Sequence, residues 1–403
     1  MAQVAGSEGG ANAPDISPWE ATSITDLHFG PGRIRRIGED ARRLCPKDKS
    51  VLIVADAILT ELGQSAGMTR ALEDCGVRVN VFDAIQGDPK EAQVDAAAEA
   101  ARAAGAGMVV AFGGGAALDI GKLAACVAAR PDAVAADFAL CRNPLPEEPL
   151  AKVCVPTTAG TGSEVTRTSV ISDPQGAKLW HWGEQILPEH AILDPEVTVT
   201  LPPVMTAWTG LDAFVHALEG STNRWASMVS QMYGHEAMRL LGQWLPVAVA
   251  DPENLEARSK VLWGATAAGL CLHLATTAIA HCISHSLASL GPVHHGFSTA
   301  LAQEATLAWQ VEGEIENEAR GAFAGAARAC GVSREEFPDW FSDFLDRCGV
   351  ERRLPAEFAD VTSDQLVALM WSEANAPMRE NTVREVAKAD ARVFADKLLA
   401  MAG

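Results

Sequence analysis

Histidine is scarce in this chain, ten among 403 residues. Four of the ten fall in one short stretch, HCISHSLASLGPVHHG, as His281, His285, His294 and His295. His281 and His285 are four residues apart, so on a helix both point to one side. Gly291-Pro292 ends that helix, and His294-His295-Gly296 falls in the turn that follows. An earlier segment, TGLDAFVHALEG at 209–220, repeats the spacing with Asp212 and His216 among Phe214, Val215 and Leu218. One carboxylate and three imidazoles make a nitrogen-and-oxygen donor set. Such a set suits Fe(II) or Zn(II) better than Mg or Ca, which prefer all-oxygen surroundings. The two segments offer more candidates than a four-coordinate ion needs, Asp212 and five histidines, so at least one histidine has another task. The competing reading is a buried Asp–His ion pair and a polar, solvated helix.

The elements that would position these groups differ between the two halves of the chain. In the first half, short apolar runs alternate with helical stretches. Strands are expected at 50–56 (SVLIVAD), 77–85, 108–112 and from 151, with helices at 57–75 and 88–107. This alternation predicts a parallel sheet with helices on both faces. After Pro202-Pro203 no β-rich run follows. Helices are expected at 205–220, 226–250, 254–275, 277–290, 298–312, 315–330, 335–347, 364–373 and 381–401. The domain plan is therefore a lead at 1–20 read as disordered, an α/β nucleotide-binding domain at 21–203, and an all-helical metal-binding domain at 204–403.

Three features of the first half point toward a dinucleotide. FGGGAALDIGK (112–122) is a strand, three glycines and a helix start. It is either a phosphate seat at a helix N-terminus or a plain tight turn. VPTTAGTGSEVT (155–166) adds hydroxyls and two glycines after another strand. Loops at strand C-terminal ends are where an open α/β sheet binds its ligand. Asp56 ends the 50–56 strand. It would accept hydrogen bonds from an adenosine ribose, or else serve as a helix N-cap.

Composition excludes several classes. The net charge of −20 opposes binding to nucleic-acid phosphates or an anionic membrane surface. Nine scattered cysteines, an odd number with no C-x-x-C, fit a reducing cytoplasm rather than a disulfide framework. The N-terminus lacks the basic and apolar regions of a secretory signal. The longest apolar runs fall well below the ~18 residues that span a bilayer.

Taken in order, these motifs resemble the iron-containing (group III) alcohol dehydrogenases, from LHFGPGRI (27–34) to about residue 390. GGGAALDIGK is similar to that family's Gly-Gly-Gly-Ser-x-x-Asp-x-x-Lys loop, with Ala116 in place of the serine. PTTAGTGSEVT resembles its Thr-rich loop. LPEHAILDPEVTVTLP (187–202) resembles the lead into its helical domain, and GLDAFVHALEG with H-x-x-x-H…HG resembles its two metal-binding segments. The resemblance implies a dehydroquinate-synthase-like architecture. It implies Asp212, His216, His281 and His295 as ligands of one divalent metal, Fe(II) ahead of Zn(II). It implies NAD contacts at Asp56, Gly114, Gly115, Asp119, Thr157, Thr158 and Lys178. His285 would stand beside the site, either relaying a proton or orienting a neighbour. His294 replaces the family's usual proline.

The expected activity is hydride transfer between NAD(H) and a small alcohol or aldehyde, in a cytoplasmic homodimer or larger homo-oligomer. Trp180 and Trp182 stand where relatives usually have smaller residues. They line the substrate pocket or pack in the lid of the cleft. Two alternatives compete: a metal- and NAD-dependent cyclase or lyase of the dehydroquinate-synthase type, and a non-catalytic metal- and nucleotide-binding protein.

Overall fold

The computed structural model describes residues 25–316 and 321–402. The lead expected over 1–20 lies outside the described residues. The described residues hold eight strands: β1 (Asp26–Phe29), β2 (Ser50–Asp56), β3 (Arg78–Ile85), β4 (Ala106–Gly113), β5 (Ala151–Pro156), β6 (Thr168–Ser172), β7 (Lys178–Trp182) and β8 (His190–Leu193). Six form one sheet in the order β1-β8-β5-β4-β2-β3, and every pairing in it is parallel. β2 is SVLIVAD, buried at all but its last residue, as expected of a strand covered on both faces.

The helices of this half are α1 (Ile37–Leu44), α2 (Ala57–Glu61), α3 (Gln64–Glu73), α4 (Glu91–Ala104) and α5 (Gly115–Ala128). The single helix expected at 57–75 is thus two. β1, β8 and the antiparallel pair β6–β7 were not expected. β1 reads DLHF, only half apolar, and pairs on one side alone. Its conformation comes from β8, not from a local apolar pattern.

The chain leaves β2 for β3 on one side, and β4 pairs on the other side of β2. The C-terminal ends of β2 and β4 therefore border the point where the strand order reverses. A parallel α/β sheet opens a crevice there.

The second half is helical among its described residues. It holds α6 (Pro203–Thr222), α7 (Met228–Ala250), α8 (Leu255–Ala275), α9 (Ile279–Ala288), α10 (His295–Glu316), α11 (Ala322–Ala329), α12 (Phe337–Arg347), α13 (Ser363–Met370), α14 (Ala376–Asn381) and α15 (Lys388–Leu399). α6 is buried along nearly its whole length after the first turn. Phe214 anchors one side of it, with ring centroids 5.0 Å from Phe344 and 5.6 Å from Phe341 and Trp340. Burying such a ring contributes about 2–3 kcal/mol. It also fixes the rotation of α6, so that Asp212 and His216 face the other way. No single helix among the described residues is long and apolar enough to cross a membrane. α8 and α9 pass that test only as a pair, bent by 100°.

Candidate active site

Asp212, His216 and Glu219 stand at i, i+4 and i+7 on α6 and share one face. His281 lies in the first turn of α9, and His295 opens α10. The break between α8 and α9 sets where α9 points. Thr276 takes a left-handed φ of 59° there, a conformation that needs support in a β-branched residue. Two side-chain amides supply it. Asn223 Nδ2 donates to the carbonyls of Ala275 (2.8 Å) and Thr276 (3.1 Å). Asn381 Nδ2 donates to the carbonyl of Thr277 (2.9 Å).

Glu219 completes the joint. Its carboxylate accepts from the backbone N–H of Ala278 (2.7 Å) and Ala280 (2.6 Å), and from His281 Nδ1 (2.7 Å). A donated Nδ1–H leaves Nε2 of His281 as its free donor atom.

That atom lies 3.6 Å from Asp212 Oδ1. His295 Nε2 is 3.4 Å and His216 Nε2 3.9 Å from the same oxygen. The four donor atoms all lie within 4.8 Å of one another. Asp212 Oδ1 and His281 Nε2 have no hydrogen-bond partner, although both residues are 2% exposed. A buried polar atom left alone is costly. Ligands at about 2.0–2.2 Å from one tetrahedral ion stand about 3.4 Å apart. The spacing and the orphaned atoms both fit a divalent cation held by these four residues. Ser284 Oγ lies 3.1 Å from His295 Nδ1 and orients that ring from behind.

The charges are arranged to match. Burial alone would raise the Asp212 carboxyl, but His216, His295 and His281 hold it well below the usual carboxylate range. Burial pushes His216 down to about 4 and His295 to about 3, with Asp212 opposing both. Burial also works against a proton on His281, yet Glu219 and Asp212 outweigh it and raise that ring to about 9. A cation held by these atoms would compete with any proton on His281 Nε2.

His285 lies one turn beyond His281. Its ring centroid is 6.4 Å from that of His281 and 5.3 Å from that of His295. It stands beside the four converging donors and is not one of them. Burial, then the neighbouring imidazoles, keep its pKa well below the usual histidine value. His294 packs against Trp208 with centroids 4.9 Å apart and the rings tilted by 35°. Of the adjacent pair, His295 is the residue that turns inward.

The nucleotide side is built at the ends of β2, β4 and β5. Asp56 makes no cap hydrogen bond to α2. Its Oδ2 accepts instead from the backbone N–H of Gly114, at 3.0 Å. Burial raises its pKa and this N–H opposes the rise. A Cβ on Gly113 would stand 2.4 Å from the same oxygen, so only glycine fits. A groove of about 330 Å³ opens beside Asp56, bordered by Ile58, Glu61, Ile85 and Gly87. Thr157 N donates to the Gly113 carbonyl at 2.9 Å, which ties the Thr-rich loop to the Gly-rich one. Thr158 and Gly115 lie along the same junction.

Two expected cofactor contacts are already engaged with protein. Asp119 accepts from Ser163 Oγ (2.5 Å) and Val170 N (2.8 Å), turning away from the loop it follows. Lys178 pairs with Asp88 at 3.0 Å. Its charge nonetheless acts against a proton on His285 and His295. Trp180 and Trp182 share the face of β7 with Lys178. The guanidinium of Arg167 sits 4.4 Å over the Trp182 ring, which packs one face of that tryptophan. His181, on the other face, is buried, with Nε2 3.2 Å from the Ala135 carbonyl oxygen.

Sequence reasoning missed Glu219 and Ser284. Glu219 had a signal: Asp212-x-x-x-His216-x-x-Glu219 puts three donors on one helix face. Ser284 had none, since its contact depends on how α10 returns against α9.

The profile of the iron-containing alcohol dehydrogenases matches residues 25–195. That of the Fe-containing alcohol dehydrogenase family, C-terminal, matches residues 206–391. The chain belongs to the iron-containing alcohol dehydrogenase family. It is 30% identical to the choline dehydrogenase of Bacillus subtilis (strain 168) over 313 residues, covering 76% of this chain and 75% of that one. With the NAD-dependent methanol dehydrogenase of Bacillus methanolicus the identity is 28% over 334 residues, covering 83% and 87%. The structure of sulfoacetaldehyde reductase from Bifidobacterium kashiwanohense in complex with NAD+ superimposes with a TM-score of 0.85 at 28% identity, covering 95% and 99%. The α/β half followed by a helical half is that of the family, as the motifs imply. Its reaction class, hydride exchange between NAD(H) and an alcohol or aldehyde, stands over the cyclase or lyase alternative.

Proposed function

We propose that this enzyme interconverts a small alcohol and its aldehyde, using NAD(H) and one divalent metal. Fe(II) is the first choice of metal and Zn(II) the second. The proposed boundary lies near 203, with the reaction in the cleft between the 21–203 and 204–403 segments. The carrying observation is the convergence of Asp212, His216, His281 and His295, with Asp212 Oδ1 buried and unpartnered. When bound, the metal supplies Lewis acidity toward the substrate oxygen and NAD supplies the hydride carrier.

The chain's own residues do the rest. Gly114 and Gly115 lie where β4 runs into α5 and, with the hydroxyls of Thr157 and Thr158, seat the pyrophosphate. Asp56 accepts from the adenosine ribose. Lys178 faces the cofactor from β7. Glu219 holds His281 in one tautomer. His285, neutral and next to His295, takes up or delivers the substrate proton at a ring nitrogen.

All nine cysteines are free, which supports a reducing, cytoplasmic setting. A homodimer or larger assembly is proposed from the habit of the family. The test is direct. Purified protein is analysed for metal, and NADH absorbance is followed with a panel of aldehydes. Turnover with at least one small aldehyde is expected. No turnover with any, despite bound metal and NADH, overturns the reading.

A further inference from the structure

Lys122 is 0% exposed, on α5 two turns past the Gly-rich loop. A buried ammonium needs compensation for the water it has lost. Three backbone carbonyls provide it: Nζ donates to Ser163 (2.8 Å), Thr166 (3.3 Å) and Thr168 (2.7 Å). All three belong to the Thr-rich loop or to the start of β6 just beyond it. Asp119, one turn earlier, lies 3.5 Å from Nζ. Its two oxygens bind the same segment at Ser163 Oγ and Val170 N. One turn of one helix therefore holds residues 163–170 at five points.

The clamped segment continues back into Thr157, Thr158 and Thr161. Their neighbours are Gly113, Gly114 and Gly115, where β4 runs into α5. A Cβ on Gly115 would stand 2.5 Å from Thr161 Cγ2, so the two loops meet with no room between them. A loop carrying Gly160 and Gly162 has many conformations to lose. Lys122 and Asp119 remove those choices before any ligand arrives, which lowers the ordering cost of binding.

We infer that Lys122 and Asp119 are positioning residues for the dinucleotide: they clamp the Thr-rich loop against the α5 N-terminus so that both loops meet the pyrophosphate as one preformed seat. Neither side chain touches the cofactor. This rests on the reading of these loops as the NAD site.

The test titrates NADH by fluorescence into metal-loaded wild type, Asp119→Asn, Ser163→Ala and Lys122→Met. Metal content and circular dichroism are measured alongside. Asp119→Asn is expected to raise the Kd and KM for NADH about tenfold. Its kcat should move less than about twofold, and its metal content should be unchanged. Ser163→Ala should raise Kd by a smaller factor in the same direction. Lys122→Met is expected to exceed both. If it fails to fold, the two milder variants carry the test. Wild-type NADH affinity in Asp119→Asn, with only its Tm lowered, overturns the inference while leaving the NAD site in place. Wild type that binds no NADH overturns the nucleotide reading itself, and this inference falls with it.

Discussion

Glu219 and His281 are joined at 2.7 Å across two helices, and the same carboxylate accepts the first backbone N–H groups of the helix that carries His281. One side chain therefore docks α9 onto α6 and fixes the tautomer of an imidazole proposed to bind the metal. Carboxylates behind ligating histidines typically account for 10–100-fold in metal affinity. Glu219→Gln is expected to lower affinity by about that factor. Metal retained against rising chelator concentration measures it, with circular dichroism to confirm the helices. Wild-type retention would show that Glu219 serves only the backbone of α9.

His285→Ala separates a proton-handling role from a ligand role. As a residue beside the four donors, His285 should be dispensable for metal. Loss of a positioned acid or base costs about 10²–10⁴-fold. The expected outcome is a fall in kcat toward that range with full metal content. Loss of metal would make His285 a ligand, and an unchanged kcat would leave it a bystander.

Asp56→Gly addresses the choice of cofactor. A carboxylate at the end of β2 favours a ribose hydroxyl and repels a 2′-phosphate. The ratio of kcat/KM for NADH over NADPH should fall by about tenfold or more, the equivalent of about 1.4 kcal/mol. An unchanged ratio would mean that Asp56 serves only to bind Gly114 N.

Glu164 gives a pH-dependent prediction. It is 2% exposed, and Thr266 Oγ1 donates to it at 2.8 Å. Burial raises its carboxyl pKa. The folded state therefore favours the proton, and stability falls as pH rises from the unfolded value through the folded one. Glu164→Gln keeps an acceptor for Thr266 and removes the charge. Its Tm should exceed wild type by about 2 °C or more at pH 8 and by less at pH 5. Equal shifts at both pH values would count against this account.

The sequence by itself determined the candidate donors and their local geometry. A four-residue spacing places Asp212 with His216, and His281 with His285, whatever the rest of the fold does, because helical periodicity is local. Continuous apolar runs marked β2, β4 and β5 for the same reason, and a Val-rich stretch marked β3. What tertiary structure decided is how separate elements meet. The break at Thr276, with its positive φ and held by Asn223 and Asn381, aims α9 so that His281 reaches Asp212. The packing of Trp208 on His294 leaves His295 as the inward member of the pair. Glu219 became a partner of His281 only when α9 docked on α6. Asp119, expected at the cofactor from the Gly-rich motif, also accepts from Ser163 Oγ and Val170 N of the neighbouring segment, contacts that no local pattern encodes. β1 and the β6–β7 hairpin owe their conformation to hydrogen bonds from distant strands, which no local pattern encodes. Spacing along a chain specifies the face of an element, but convergence between elements depends on packing across long separations.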